Sequence, residues 1–399
     1  MKHYEDAYYK SFTTGQYAEL RAEQEALEGM TTWEDRVNGM SIIPLSTPMD
    51  VEVRSIDPAN KISKEILLDT ADNLKLMIAY SGKEACLRDC AMPSLLSTVE
   101  IRGSGVFRPN PEQQSVALTA LLTGCRENSR IMTRAGKVSA VVSHRYEPMP
   151  ISNLLDICDG LELLFGRADF QSGFVSHGST VCQFEYPEAA ADATKAYRKA
   201  LSIAGRTIAA DAQITPIIEF RSSDTSGEAA KLLTYLKLAP GQLMPIGEGV
   251  KVPHTAPLEY NDDGTRMTAM QKFSNEAQLL YSQLEYDIGD MIPKMLQTQI
   301  DHPVNTYIGL CKYAAIPQKW GGEIEEELKS DWPDHSGCTF LDVYEAITKV
   351  TAKAVEENDP HSQRLLDLEE AISRIARNRA IWKKFDLPGT VAWVQSIKK

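Results

Sequence analysis

The chain has no apolar run approaching the ~20 residues needed to cross a bilayer, so no membrane-spanning helix is expected among its 399 residues. Its N-terminus, Met1-Lys-His-Tyr-Glu-Asp-Ala-Tyr-Tyr9, has no apolar core of the kind a secretory leader requires, which points to the cytoplasm. The sequence contains neither Gly-x-x-x-x-Gly-Lys-Ser/Thr nor Gly-x-Gly-x-x-Gly, so a phosphate-loop or dinucleotide site has no motif to stand on. It lacks His-x-x-x-His, His-Glu-x-x-His and Gly-x-Ser-x-Gly, which argues against metalloprotease and serine-hydrolase chemistry. No cofactor is called for. Cysteine is sparse and dispersed, at 86, 90, 125, 158, 182, 311 and 338. An odd number in mostly apolar contexts fits small buried side chains in a reducing compartment. Cys86 and Cys90 lie four apart and could share a helix face, yet no second pair or spaced histidines complete a zinc set. Positive charge is also short: 42 Lys and Arg stand against 55 Asp and Glu, a net charge of -13. Such a balance repels nucleic acid at long range, so contact with DNA or RNA would need a local cationic surface.

One stretch supplies that local reversal. Between Arg126 and Met149, Arg126, Arg130, Arg134, Lys137 and Arg145 gather with little opposing charge. Val138 to Ser143 is a strand candidate, and it runs into Arg145-Tyr146-Glu-Pro. Two readings stand side by side. In one, the arginines project from a loop or helix end and hold phosphates, with Tyr146 stacking on a base. In the other, they pair with the abundant carboxylates or line a subunit interface.

The chain is long enough for more than one core, since single cores stop growing near 250–300 residues. Tyr17, Leu20, Gln24 and Leu27 recur at helical spacing and Gly29 ends the pattern. Ile42-Ile43-Pro-Leu45 and Val51-Glu-Val53 predict short strands, 61–80 a helix, and Val99 with Ile101 a strand. Pro111 opens a helix that closes at Gly124, and Pro150 opens another through Leu164. Val175 to Tyr186 and Ile214 to Arg221 are strand candidates, separated by an alanine-rich helix from Ala189. A short helix is expected over Ala229 to Leu238, then a loop-strand region to His254. From Arg266 the pattern is helical almost throughout, and Thr339-Phe-Leu-Asp342 resembles a capping box with Asp in place of Glu. The expected architecture is α+β: a mixed domain over 1–260 with an antiparallel or mixed sheet, followed by an all-helical domain over 261–399.

A second constellation is Glu219-Phe-Arg221-Ser-Ser-Asp224-Thr-Ser-Gly227-Glu228. Period-two alternation delivers Glu219 and Arg221 to one face. Taken as a strand-to-helix turn, the segment offers an anion site at a helix N-terminus, or a metal site on Glu219, Asp224 and Glu228. The alternative is an ion pair between Glu219 and Arg221, with Ser223, Asp224 or Ser226 capping the helix. Trp320, Trp332, Trp382 and Trp393 all fall in the helical half, where they are expected to anchor packing.

Gly136-Lys-Val-Ser, His144-Arg-Tyr-Glu-Pro and Ile151-Ser-Asn-Leu-Leu155 resemble a segment of the phage- and plasmid-associated proteins classed as domain of unknown function 932. Ser222-Ser-Asp224-Thr-Ser226-Gly and Val252-Pro-His254 correspond to that family's later turn and Val-Pro-His element. The resemblance covers roughly residues 115–255; the family's His-Asp-Gly turn is altered here, and 266–399 lie outside it. It implies a protein of a mobile genetic element, an accessory factor in DNA metabolism, and assigns no catalytic residue.

These observations lead first to a non-enzymatic, oligomeric protein that binds nucleic acid, single-stranded DNA in particular, through Arg126, Arg130, Arg134, Lys137, Arg145 and Tyr146. The second expectation is a factor that binds a host or virion protein, for which the acidity suits a basic partner. The third is a metal-dependent enzyme on Glu219, Asp224 and Glu228.

Overall fold

The computed structural model describes residues 9–45, 76–101, 110–124, 128–225, 227–240, 242–333, 337–357 and 363–389. Helices and antiparallel sheets together make it α+β. Its backbone is a seven-stranded sheet formed by β1 (Tyr9–Thr13), β8 (Asp169–Ser176), β9 (Thr180–Glu185), β10 (Thr215–Ser222), β11 (Ala230–Ala239) and β12 (Gln242–Pro245), paired in that order. The last strand, β13 (Val250–Val252), pairs with β11. Every pairing in it is antiparallel. Register places Ile218 opposite both Phe184 and Thr234, and Phe220 opposite Cys182 and Leu232. One face is thus largely apolar, and Ile217, Glu219 and Arg221 point to the other.

Helices cover the apolar face. Leu20 and Leu27 of α1 (Tyr17–Gly29), Leu154, Leu155 and Cys158 of α4 (Ile151–Asp159), and Tyr197, Ala200 and Leu201 of α6 (Ala190–Ser202) are all buried there. The same buried cluster continues through α7 (Ala269–Gln278), α8 (Leu280–Gln297), α9 (Pro303–Tyr313) and α11 (Phe340–Glu357) to Phe385, so it draws on residues from both sides of 260. After β13 every named element is helical, as the spacing from Arg266 predicts; the last of them are α10 (Gln318–Asp331), α12 (Gln363–Arg377) and a short turn of helix. Thr339 and Asp342 cap α11, but in one direction only: the Asp342 carboxylate accepts from both the backbone N–H and the hydroxyl of Thr339, each at 2.7 Å.

A second buried cluster draws only on residues from Val37 to Val141. It lies among two three-stranded sheets, β2 (Thr31–Val37) with β6 (Ser129–Arg134) and β7 (Lys137–Ser143), and β3 (Ser41–Pro44) with β4 (Leu76–Tyr80) and β5 (Lys83–Cys86). Helices α2 (Met92–Thr98) and α3 (Pro111–Gly124) complete it. The β6–β7 hairpin turns at Ala135 and Gly136, both with positive φ (49° and 76°), the conformation a two-residue hairpin of this twist demands.

Four expectations change here. Residues 61–75 lie outside the described residues, as do Val51 to Val53, while Leu76 to Tyr80 is a strand. Leu76, Ile78 and Tyr80 bury alternate positions, a period of two that a helix cannot use. The strand around Val99 is replaced by α2, which Pro93 opens in its first turn, with Val99 at its C-terminal cap. Val175 to Tyr186 holds a hairpin rather than one strand, turning between Ser176 and Thr180. Ala229 to Leu238 is not a helix but β11: a central strand buried on both faces loses the apolar–polar alternation that would mark it, and its leucines then fit a short helix as well.

Among the described residues, no helix is long and apolar enough to cross a membrane. Cys86, Cys90, Cys158, Cys182 and Cys338 are buried and Cys311 is half-buried. Cys86 ends β5 and Cys90 sits in the turn of helix after it, so the two share no helix face. Cys125 lies outside the described residues. Trp382 stacks on Phe340 at 4.6 Å between centroids, and Trp332 lies under the Arg206 guanidinium. The side chain of Trp320, and Trp393, fall outside the described set.

Candidate functional site

Arg130 and Arg134 do not lie in a loop or at a helix end. Arg130 and Arg134 belong to β6, the middle strand of the β2–β6–β7 sheet. Arg134, the last residue of β6, is 1% exposed, while Arg130 on the same face is half-buried. The Arg134 guanidinium donates from Nε to Thr31 Oγ1 (3.0 Å), from Nη1 to the His177 carbonyl (2.9 Å), and from Nη2 to Asp224 Oδ2. Burial pushes the Asp224 carboxyl above its ordinary range, and the Arg134 charge acts in the opposite direction. Arg130 donates from Nη2 to Asp35 (3.3 Å) and from Nη1 to the Tyr146 carbonyl (2.6 Å). The reading in which these arginines meet carboxylates of their own chain is the one the geometry has.

Tyr146 is likewise inside, at 5% exposure. Its ring lies between two others: Trp33 at 5.5 Å and His254 at 5.2 Å, the latter at an interplanar angle of 2°. The buried ring is thus stacked against two neighbours of its own chain rather than open to a base. The hydroxyl donates to the Asp224 carbonyl (2.9 Å) and lies 3.1 Å from His254 Nδ1; His254 Nε2 is 3.5 Å from Ser222 Oγ. With the tyrosine proton directed at Asp224, the Nδ1–H donates to Tyr146 and Nε2 is left to accept from Ser222. Burial holds His254 down to about 4, which keeps the ring neutral at pH 7. A Ser–His contact of this kind resembles part of a nucleophilic site. Ser222 is fully buried, though, and the hydrogen-bond chain ends on a backbone carbonyl rather than a carboxylate.

The remaining members of the stretch divide. Lys137 begins β7 and is half-buried, and Arg145 is exposed at the turn after it. Arg126 lies outside the described residues.

The second constellation separates in the same way. Because β10 passes to β11 through a hairpin, there is no helix N-terminus for an anion. Asp224 meets Arg134, Glu228 meets Lys231 at 2.5 Å, and Glu219 meets Arg221. Among the described residues no three His, Cys, Asp or Glu side chains approach closely enough to hold a metal ion. The ion pair between Glu219 and Arg221 is present, but it extends further: Arg221 Nη2 also donates to Glu369 Oε2 at 2.9 Å, and Gln183 donates to Glu219 at 2.6 Å.

Three segments far apart in the chain thus meet at one junction between two sheets. Tyr146 follows β7, Ser222 to Thr225 form the β10–β11 turn, and His254 follows β13. The Ser223 and Thr225 hydroxyls donate to the Gly178 carbonyl, so the β8–β9 turn is fastened to the same point. Trp33, Thr31 and Asp35 complete the junction from β2 without any motif to mark them. No protein-family model, no curated protein and no solved structure matches the chain.

Proposed function

We propose that this protein works by binding a protein partner with a cationic surface, as an accessory factor of a mobile genetic element. One observation carries the reading. Two arginines of the densest cationic stretch are paired with carboxylates of the same chain, Arg134 buried against Asp224 and Arg130 beside Asp35. Their charges are neutralised within the fold, and the net charge of -13 is left to dominate the surface. Such a surface steers basic partners and repels polynucleotides. The resemblance of the 136–155, 222–227 and 252–254 segments to a phage and plasmid family supports the mobile-element setting. That Tyr146, Ser222 to Thr225 and His254 from those segments meet at one buried junction supports an architectural part for them.

Affinity capture from a nuclease-treated host lysate tests the proposal. A stoichiometric protein partner that survives nuclease and is released by raised salt is the expected result. A gel shift with single-stranded oligonucleotide, weakened by Lys137→Glu and Arg145→Glu, would instead restore the nucleic-acid reading.

A further inference from the structure

The face of the large sheet opposite the apolar one carries a buried charged cluster that the proposed binding role does not use. Glu219 is 0% exposed, and Arg221 and Glu369 are each 2% exposed. Arg221 holds both carboxylates, Glu219 through Nε and Glu369 through Nη2. Both carboxylates therefore sit against the same guanidinium, shut off from water. One guanidinium against two carboxylates leaves one charge over among the described residues, and a desolvated site removes such a charge by protonation. Glu219 comes from β10 in the sheet and Glu369 from α12, 148 residues beyond Arg221.

We propose that Glu219 and Glu369 hold one proton between them and that this proton fastens α12 to the sheet, making the docking of α12 sensitive to pH. The groups facing the pair from each element around it are consistent with this. Tyr235 on β11 donates no positive charge and lies 3.4 Å from Arg221 Nη2. Lys231 on β11 is engaged by Glu228 of the hairpin at 2.5 Å and by Glu370 of α12 at 3.6 Å. Lys251 of β13 and Arg374 of α12 act on Glu370. Arg221 is therefore the one described cation bonded to the pair itself. Burial and the neighbouring Glu219 charge raise Glu369 well above the ordinary carboxylate range, and Arg221 pulls the other way. When α12 lifts away, Glu369 returns to an ordinary carboxyl and loses its proton. Opening therefore releases a proton and is favoured by rising pH, between the ordinary glutamate value and the raised one.

Infrared spectroscopy and amide hydrogen exchange on the full chain test this together. The wild-type protein is expected to show a carboxylic-acid carbonyl band at neutral pH that Glu369→Gln removes. Exchange of the α12 amides, corrected for intrinsic chemistry, is expected to rise about tenfold per pH unit across that window. Glu369→Gln keeps a donor toward Glu219 and an acceptor for Arg221 without a titrating group, so its slope should be flat. Glu370→Gln, a control on the same helix, should keep the wild-type slope. A wild-type spectrum without the acid band overturns the proposal even if the variant does not fold. So does a folded Glu369→Gln protein with the wild-type slope.

Discussion

Replacing Asp224 with alanine leaves the Arg134 guanidinium buried without its carboxylate. Removing one partner of a buried ion pair costs about 3–5 kcal/mol. Arg134 keeps two neutral acceptors, Thr31 Oγ1 at 3.0 Å and the His177 carbonyl at 2.9 Å, each worth about 1 kcal/mol net. The expected loss is therefore near the lower end, about 3 kcal/mol. Arg134→Met is expected to cost less, about 2 kcal/mol, because Asp224 can take a proton when its partner is gone. The two changes touch one contact, so they should not add: a coupling of about 1–3 kcal/mol is expected in the double variant. Urea unfolding of the four proteins measures all three quantities, with the Asp224→Ala midpoint falling by about 1 M. A loss below 1 kcal/mol for Asp224→Ala, or strict additivity, would refute the view that this pair ties the β6 sheet to the β10–β11 turn.

Acid titration probes the neighbouring ring. His254 is held near 4 in the folded chain against an ordinary 6.5, so between those values the unfolded state binds the extra proton. Stability should fall by up to about 3 kcal/mol as pH drops through that window, and His254→Gln should flatten the dependence in urea melts at successive pH values. Gly309 of α9 faces Phe385, whose Cγ lies 2.3 Å from where a Cβ would stand. Gly309→Ala should cost about 1–3 kcal/mol, read as a lower melting temperature with changed Trp382 fluorescence. Ala135 holds a positive φ of 49° in the β6–β7 turn, which asparagine adopts more readily. Ala135→Asn should raise stability by about 0.5–1 kcal/mol in the same urea assay.

Much of the architecture is legible in the chain because periodicity and punctuation agree there. Leu20, Gln24 and Leu27 before Gly29, and the closure of α3 at Gly124, are local signals with local consequences. The strand Ile214 to Arg221 is similarly marked by its β-branched content, and its alternation correctly pairs Glu219 with Arg221. Ala230 to Ala239 is misread for a physical reason: both faces of a central strand are buried, so period two vanishes from the hydrophobic pattern. The junction is the least legible part. Arg134 and Asp224 are 90 residues apart, and Tyr146 and His254 are 108 apart. Neither composition nor spacing says which arginine of a basic run is buried: Arg130 and Arg134 share one face of β6, and the partners around each decide it. Glu369 carries no signal at all, since a glutamate on a charged amphipathic helix reads as solvent-facing until the sheet beneath it is known.

Titration of a fluorescent single-stranded oligonucleotide with the full chain at low and moderate salt bears most directly on the claim that Arg130 and Arg134 are neutralised within the fold. The account predicts no binding tighter than the weak end of the non-specific range, about 10⁻⁴ M, and no steep dependence on salt. Micromolar binding that collapses with salt, and that disappears on changing Arg145 and Lys137 to glutamate, would contradict it.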